Sequence, residues 1–588
     1  MSLSRHVDPE DIIHHLQDLR MPSSQATSSS TGGQQQTLQH LTPFSTPYAS
    51  QRDIPKYQIP REGAPGDTVY EMLKDELDLD GRTNLNLASF VDTYLEENAQ
   101  KLMVENAGKN LADNDEYPAM LAIANRCVSI LAHLWGVRKG ESAVGSPTVG
   151  SSEAIMLGGL AMKRRWQERR RAAGKDTLKP NIIMGANAQV ALEKFARYFE
   201  VEARILPVSK KSKFCLDPEL VRENVDENTI GVFVILGSTY TGHFEPVETV
   251  SKMLDEYQEK TGIDIPIHVD AASGGFVAPF THAGAGGQKW NFENPRVVSI
   301  NASGHKYGLV APGIGWIIWR DKACLPKDLI FELHYLGGTE ESYTLNFSRP
   351  GAQVIVQYYN LIHLGFNGYR EIMENCLANA RILSKSLEAT GWYTCLSDIH
   401  RPAPETTNTA EAAAAAVKGA VSSAVGRTEE AGPGPETSAA YVAGLPVVSF
   451  RFSDQFRREY PHIKQETVSL LLRARQWIIP NYALPPNESD TEILRVVIRV
   501  SMSFDLLDRL VADIVQVTEQ LMEKDEVDLL GVLHEQKHRR KPVTKEERAE
   551  KEKKREERKH KGGTMGGVKE AGKDVKKRME DGIHRTVC

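Results

Sequence analysis

The 588 residues exceed what one small domain needs and can bury a large core; 40% are apolar and 25% charged, as in soluble globular proteins. No apolar run approaches the roughly 18–20 residues of a membrane span, and the Ser-, Gln- and Thr-rich start lacks a charged-then-apolar leader pattern. The net charge of −7 is uneven: from Lys537 onward 19 Lys and Arg face 10 Asp and Glu, so that segment carries +9 and the rest −16, an acidic body unsuited to nucleic acid.

Residues 1–55 read as a disordered tail, apart from a short helix near Asp11 to Leu19. An acidic helical segment follows over residues 56–84, centred on Glu62 to Leu79. Gly145 to Gly150 reads as a small-residue loop opening a helix at Ser151 and Ser152. Asn181 to Gly185 reads as a strand, Gln189 to Tyr198 as a helix, Thr229 to Leu236 as a buried strand and Val247 to Thr261 as a helix. Ile265 to Asp270, Val297 to Ile300 and Gly315 to Trp319 read as further strands. Strands separated by helices predict a mostly parallel sheet covered on both faces, an α/β large domain over 85–375. Tyr358 to Leu387 reads as helical, and Pro446 to Phe452 and Ile493 to Val500 as strands of a smaller α+β domain over 376–525. A low-complexity insertion interrupts it near 401–440, and a charged tail occupies 526–588. The six cysteines (Cys127, Cys215, Cys324, Cys376, Cys395, Cys588) are scattered, so no zinc cluster or disulfide framework is expected, no metal site is predicted, and a reducing cytoplasmic setting fits.

Three positions carry chemistry. Ser151 and Ser152 would sit at a helix N-terminus, where free N–H groups favour an anion such as phosphate; ordinary N-capping is the alternative. Asp270 ends an apolar strand, on the side where parallel sheets bind ligands. A carboxylate there needs a partner, and a protonated pyridine nitrogen would be one. Small Ala272 would let a flat ring approach the backbone. Lys306 follows Ser303-Gly-His in a small-residue loop, on the same side of the sheet. A desolvated lysine amine suits Schiff-base chemistry, and His305 beside it could donate to phosphate. Together they indicate an enzyme using pyridoxal phosphate (PLP).

His268-Val-Asp-Ala-Ala-Ser-Gly-Gly, Ser303-Gly-His-Lys306 and Gly150-Ser-Ser-Glu-Ala stand in one order that resembles glutamate decarboxylase of the bacterial and plant type. The resemblance runs from about Arg82 to Pro350 and more weakly to about Leu521. It implies an aspartate-aminotransferase-like (fold type I) architecture and PLP-dependent conversion of L-glutamate to 4-aminobutanoate and CO2. By resemblance, Lys306 would carry PLP, Asp270 would pair with its ring nitrogen, and Ser151, Ser152 and His305 would bind its phosphate. Gln189 would lie against the ring and Thr239 near the ring oxygen. Ser348 would reach the phosphate of a neighbouring subunit, implying at least a homodimer, with a hexamer as the larger alternative. Ser89, the backbone of Phe90, Asn110 and Asp113 would receive the side-chain carboxylate of glutamate, and Arg499 the α-carboxylate. Tyr335 would sit in a flap and protonate the intermediate.

The nearest rivals are decarboxylases of aspartate, cysteine sulfinate or aromatic amino acids; a PLP lyase and a catalytically silent scaffold are others. Ser89, Asn110 and Asp113 favour glutamate. The basic tail invites a calmodulin reading, because plant-type enzymes carry such a segment. Against it, no Trp follows Trp477 and 545–561 is nearly all charge, so a solvated helical tail fits better.

Overall fold

The computed structural model describes residues 57–61, 63–113, 115–333, 340–404 and 437–523. The N-terminal tail, most of the insertion, the basic tail with its calmodulin reading, Cys588 and Tyr335 lie outside the described residues. Described residues up to Arg82 belong to one compact unit and those from Thr83 to Glu523 to a second. In the first, helix α1 (Gly66–Leu77) has Asp67 in its first turn and Lys74 in its last, both favourable to the helix dipole.

The second unit opens with α2 (Glu97–Glu105) and α3 (Pro118–Leu134), two helices absent from the sequence reading. Pro118 pre-sets the first turn of α3. Then come β1 (Val144–Thr148), α4 (Ser151–Ala172), β2 (Asn181–Gly185), α5 (Val190–Tyr198), β3 (Glu202–Leu206), α6 (Pro218–Asn224) and β4 (Thr229–Ile235). They are followed by α7 (Val247–Thr261), β5 (Ile267–Asp270), β6 (Val297–Ser303) and β7 (Gly315–Trp319). The seven strands form one sheet in the order β1-β7-β6-β5-β4-β2-β3. Only β7 runs against its neighbours, so the sheet is mostly parallel. Alternate strand residues enter two cores. Ile183, Val269 and Ile318 join the one that includes α3 and α7, while Met184, Phe233 and Ile317 join the one that includes α4 and α5. This two-sided burial explains why the central strands read as continuous apolar runs.

A short ribbon pairs β8 (Phe331–Leu333) with β9 (Glu340–Ser342). Helix α8 (Ala352–Ala389) then runs from one core to another: Val354, Leu361, Tyr369 and Met373 belong to the large core, Cys376, Leu383 and Leu387 to the next. Gly365, at φ 59°, breaks its regular path. The smaller antiparallel sheet joins β10 (Tyr393–Cys395), β11 (Val447–Phe452), β12 (Asn481–Ala483) and β13 (Glu492–Val497) in the order β10-β11-β13-β12. Helices α9 (Asp454–Glu459), α10 (Gln465–Ala474) and α11 (Phe504–Met522) complete this α+β part.

Candidate active site

Asp270 and Lys306 follow from adjacent strands. β5 ends at Asp270, which pairs in register with Asn301 of β6, and the chain leaves β6 at Ser303 for the loop carrying His305 and Lys306. Asp270 is buried. Its Oδ1 accepts from Ala272 N at 3.1 Å and Asn301 Nδ2 at 2.9 Å, and neither donor reaches Oδ2. Lys306 Nζ donates to Ser273 Oγ at 3.2 Å and lies 5.2 Å from the centre of the Phe90 ring. Ser273 has no role in the sequence reading, although it stands inside the quoted motif.

The Gly145–Gly150 segment differs from the expected loop: it is largely strand β1, an edge strand where Pro147 removes no ladder bond the sheet requires. Helix α4 starts at Ser151, whose Oγ lies 2.7 Å from Ser303 Oγ, fixing the helix start to the end of β6. Ser152 is exposed at the same N-terminus. The approach is close: a Cβ on Gly315 would lie 2.5 Å from Gly150 C and 2.8 Å from Ser151 N. His305 is on the same side, 3.5 Å from where a Gly150 Cβ would be. Its Nδ1 lies 2.8 Å from the Ile314 carbonyl, so Nδ1 bears the proton and Nε2 is the free nitrogen of the neutral ring. Burial pushes this imidazole down to about 4, and the Lys306 charge adds to the effect.

Gln189 caps α5, its Oε1 accepting from Ala191 N at 2.8 Å, while the preceding loop is held by Asn187 Nδ2 donating to Glu245 at 2.9 Å. Ser89 Oγ accepts from Val91 N at 3.1 Å. Phe90 next to it is buried. Asn110, Asp113 and Ser348 form a separate cluster. Asn110 Nδ2 lies 3.1 Å from Asp113 Oδ1 and 3.4 Å from Ser348 Oγ. Ser348 is exposed, at the end of a segment that also exposes Leu345 and Phe347.

Arg495 in β13 and Arg499 just after it differ sharply. Arg499 is buried with its terminal nitrogens on the carbonyls of Val91, Thr83 and Asn86, beside Asp92. Arg495 donates to the carbonyls of Thr239 (2.9 Å) and Ala88, and its guanidinium lies 5.1 Å from the centre of the Phe90 ring that Lys306 also faces. Its buried Nε has no hydrogen-bond partner among the described residues, and neither does that of Arg499. Arg495 is the residue the sequence reading passed over.

Residues 63–403 match the pyridoxal-dependent decarboxylase conserved domain, well over half of the chain. The chain belongs to the pyridoxal-dependent decarboxylase family. Within this family it is similar to a glutamate decarboxylase of Saccharomyces cerevisiae, 46% identical over 87% of this chain and 86% of that one. A glutamate decarboxylase of Petunia hybrida is 44% identical, over 84% of this chain and 88% of that one. Among solved structures, a Lactobacillus brevis glutamate decarboxylase superposes with a TM-score of 0.70 at 36% identity, covering 81% of this chain and 97% of that one. The fold is therefore the fold type I expected from the sequence.

Elsewhere, Glu388, Cys395 and His400 bring ligand-type atoms within 4.8 Å of one another. Glu388 is already paired with Arg401 and His400, and burial pushes the Cys395 thiol up to about 12, so nothing there favours a cation. No helix among the described residues is long and apolar enough to cross a membrane.

Proposed function

We propose that this chain is a PLP-dependent glutamate decarboxylase, releasing CO2 from L-glutamate and leaving 4-aminobutanoate. The observation that carries the reading is the convergence of Lys306 and Arg495 on the Phe90 ring, in a chain whose glutamate decarboxylase relatives match over 84–87% of its length. The residues fit the cofactor. Both donors to Asp270 meet Oδ1, which leaves Oδ2 to a ring N–H, and the start of α4 passes Gly315 too closely for any side chain there. Bound there, PLP supplies an aldehyde that condenses with an amine and a cationic ring that accepts the electrons CO2 leaves behind.

Each residue then has a task. Lys306 provides the amine that holds the cofactor and yields it to substrate. Asp270 keeps the ring nitrogen protonated, which keeps the electron sink charged. The N–H groups of Ser151 and Ser152 and the dipole of α4 hold the phosphate. His305 donates to that phosphate from Nε2 only as the imidazolium, a form the nearby anion would stabilise against burial. Gln189 and Thr239 flank the ring.

The α-carboxylate belongs to Arg495 rather than Arg499. Arg495 stands by the Phe90 ring with Lys306 and by Thr239, while Arg499 braces the 83–91 segment through its carbonyl bonds. Ser89 and the Phe90 backbone receive the substrate's side chain. Asn110, Asp113 and Ser348, gathered into one cluster in which Ser348 is exposed, complete the site of a second subunit, so a dimer is the working unit and a hexamer a larger form of it. Tyr335 retains its proposed protonating role, and the cytoplasm is the proposed location. Product analysis with glutamate, aspartate, cysteine sulfinate and an aromatic amino acid tests the substrate. Glutamate should dominate, and faster turnover of any other acid would overturn it.

A further inference from the structure

Behind Asp270 lies a buried polar chain that none of the steps above uses. Asn301 Nδ2 donates to Asp270 Oδ1 at 2.9 Å, Asn301 Oδ1 lies 2.7 Å from His268 Nε2, and His268 Nδ1 lies 2.7 Å from Ser299 Oγ. Ser299, His268 and Asn301 have no solvent exposure at all. The β5–β6 register creates the chain, setting His268 opposite Ser299 and Asp270 opposite Asn301.

Its direction is forced. An ionised Asp270 can only accept, so Asn301 turns its NH2 toward it and its oxygen toward His268. That oxygen only accepts, so His268 carries its proton on Nε2. Nδ1 then holds the lone pair, and the Ser299 hydroxyl donates to it. The imidazole is thereby neutral, in agreement with burial driving it down to about 4. Two neighbours clamp the ring. Phe233 meets it edge-on at 5.3 Å, and Gly158 of α4 passes so close that a Cβ there would lie 2.6 Å from both Cε1 and Nδ1.

We propose that Ser299, His268 and Asn301 are positioning residues for Asp270: they hold Oδ1 so that Oδ2 is aimed at the cofactor's ring nitrogen, and they add no cation to compete for the carboxylate. A protonated imidazole one residue behind would draw on the same negative charge and weaken the hold on the ring proton. This rests on the reading of Asp270 as ring partner.

The test rebuilds the apoprotein with PLP labelled with 15N in the ring. The nitrogen shift reports whether the ring carries its proton, and titration reports cofactor affinity. His268→Gln preserves the chain, its amide N–H meeting Asn301 and its oxygen meeting Ser299, and should keep the wild-type shift and affinity. His268→Phe fills the space between Phe233 and Gly158 but breaks the chain. It should lose part of the protonated signal and about tenfold in affinity, the lower end of what removing a partner behind a ligating residue does at metal sites. Should that variant fail to fold, Ser299→Ala removes one oxygen and should shift both readouts in the same direction by less. Asp270→Asn is the control. If it keeps the protonated signal, the Asp270 reading fails and the proposal with it. If it loses the signal while His268→Phe or Ser299→Ala matches wild type in both readouts, the positioning role alone is overturned. A Gln variant as impaired as the Phe variant also overturns it.

Discussion

Lys306 and Arg495 both place their charge about 5 Å from the centre of one aromatic ring, that of Phe90. An amine and a guanidinium brought to one buried spot suit an anionic substrate that reacts with the amine. Lys306→Ala should leave no covalently held cofactor: borohydride treatment and peptide mapping should find pyridoxyl label at Lys306 in the wild type and none in the variant. Label in the variant would move the role to another lysine. Arg495→Met should lower kcat/KM for glutamate by roughly 30-fold or more, since truncating one side of a buried charge pair costs about 2–5 kcal/mol. Arg499→Met should instead lower the melting temperature, because it strands the carbonyls of Val91, Thr83 and Asn86. Kinetic loss confined to the Arg499 variant would reverse the assignment. The two arginines could not be told apart in the sequence. Four residues apart in extended chain, they have the same parity and so the same nominal face; only the packing of the 83–91 segment separates them.

At the scale of elements, the central strands were legible because both faces are buried, which leaves unbroken Val, Ile and Phe runs such as β4. The Asp270 and Lys306 motifs were legible for a related reason, since each stands where such a run stops. Two strands of the large sheet escaped. β3 (Glu202–Leu206) is an edge strand whose exposed Glu202 hides its period while guarding the edge. β1 contains Gly145, Ser146 and Pro147, a turn-like composition that holds a strand only through antiparallel pairing with β7. That pairing sets the proposed phosphate cradle, where β7 and the start of α4 meet at Gly315. Gly315→Ala would force a methyl to 2.5 Å from the Gly150 backbone. The variant should fold but bind PLP more weakly, as measured by cofactor titration of the apoprotein; unchanged affinity would place the phosphate elsewhere.

At the scale of the molecule, the gathering of Asn110, Asp113 and Ser348 into one cluster could not be read from sequence, where Ser348 lies 238 residues beyond Asn110. The folded chain gathers these three into a cluster of their own, which the proposed dimer would join to the site of its partner. Mixing inactive Lys306→Ala with an inactive Asn110 variant should restore activity through hybrid dimers, and no recovery after exchange would return Asn110 to its own subunit's site. Acid stability also belongs to this scale. His268 and His305 have folded values near 4 against an ordinary 6.5, so the unfolded chain binds more protons between these limits and stability falls as pH drops from about 6.5 to 4. Asp92 and Glu245, raised by burial to about 6, work the other way over about pH 6 to 4, since the folded state takes up their protons first. The His268→Gln apoprotein, lacking one of the opposing histidines, should lose less stability than wild type across that window, by up to about 3 kcal/mol; equal slopes in pH-dependent denaturant melts would contradict a neutral buried His268. The central claim is tested most directly by supplying L-glutamate and PLP to the wild-type protein and to Lys306→Ala, and measuring 4-aminobutanoate against CO2. The account predicts equal amounts of both from the wild type and neither from the variant. A wild type that binds PLP yet forms no 4-aminobutanoate would contradict it.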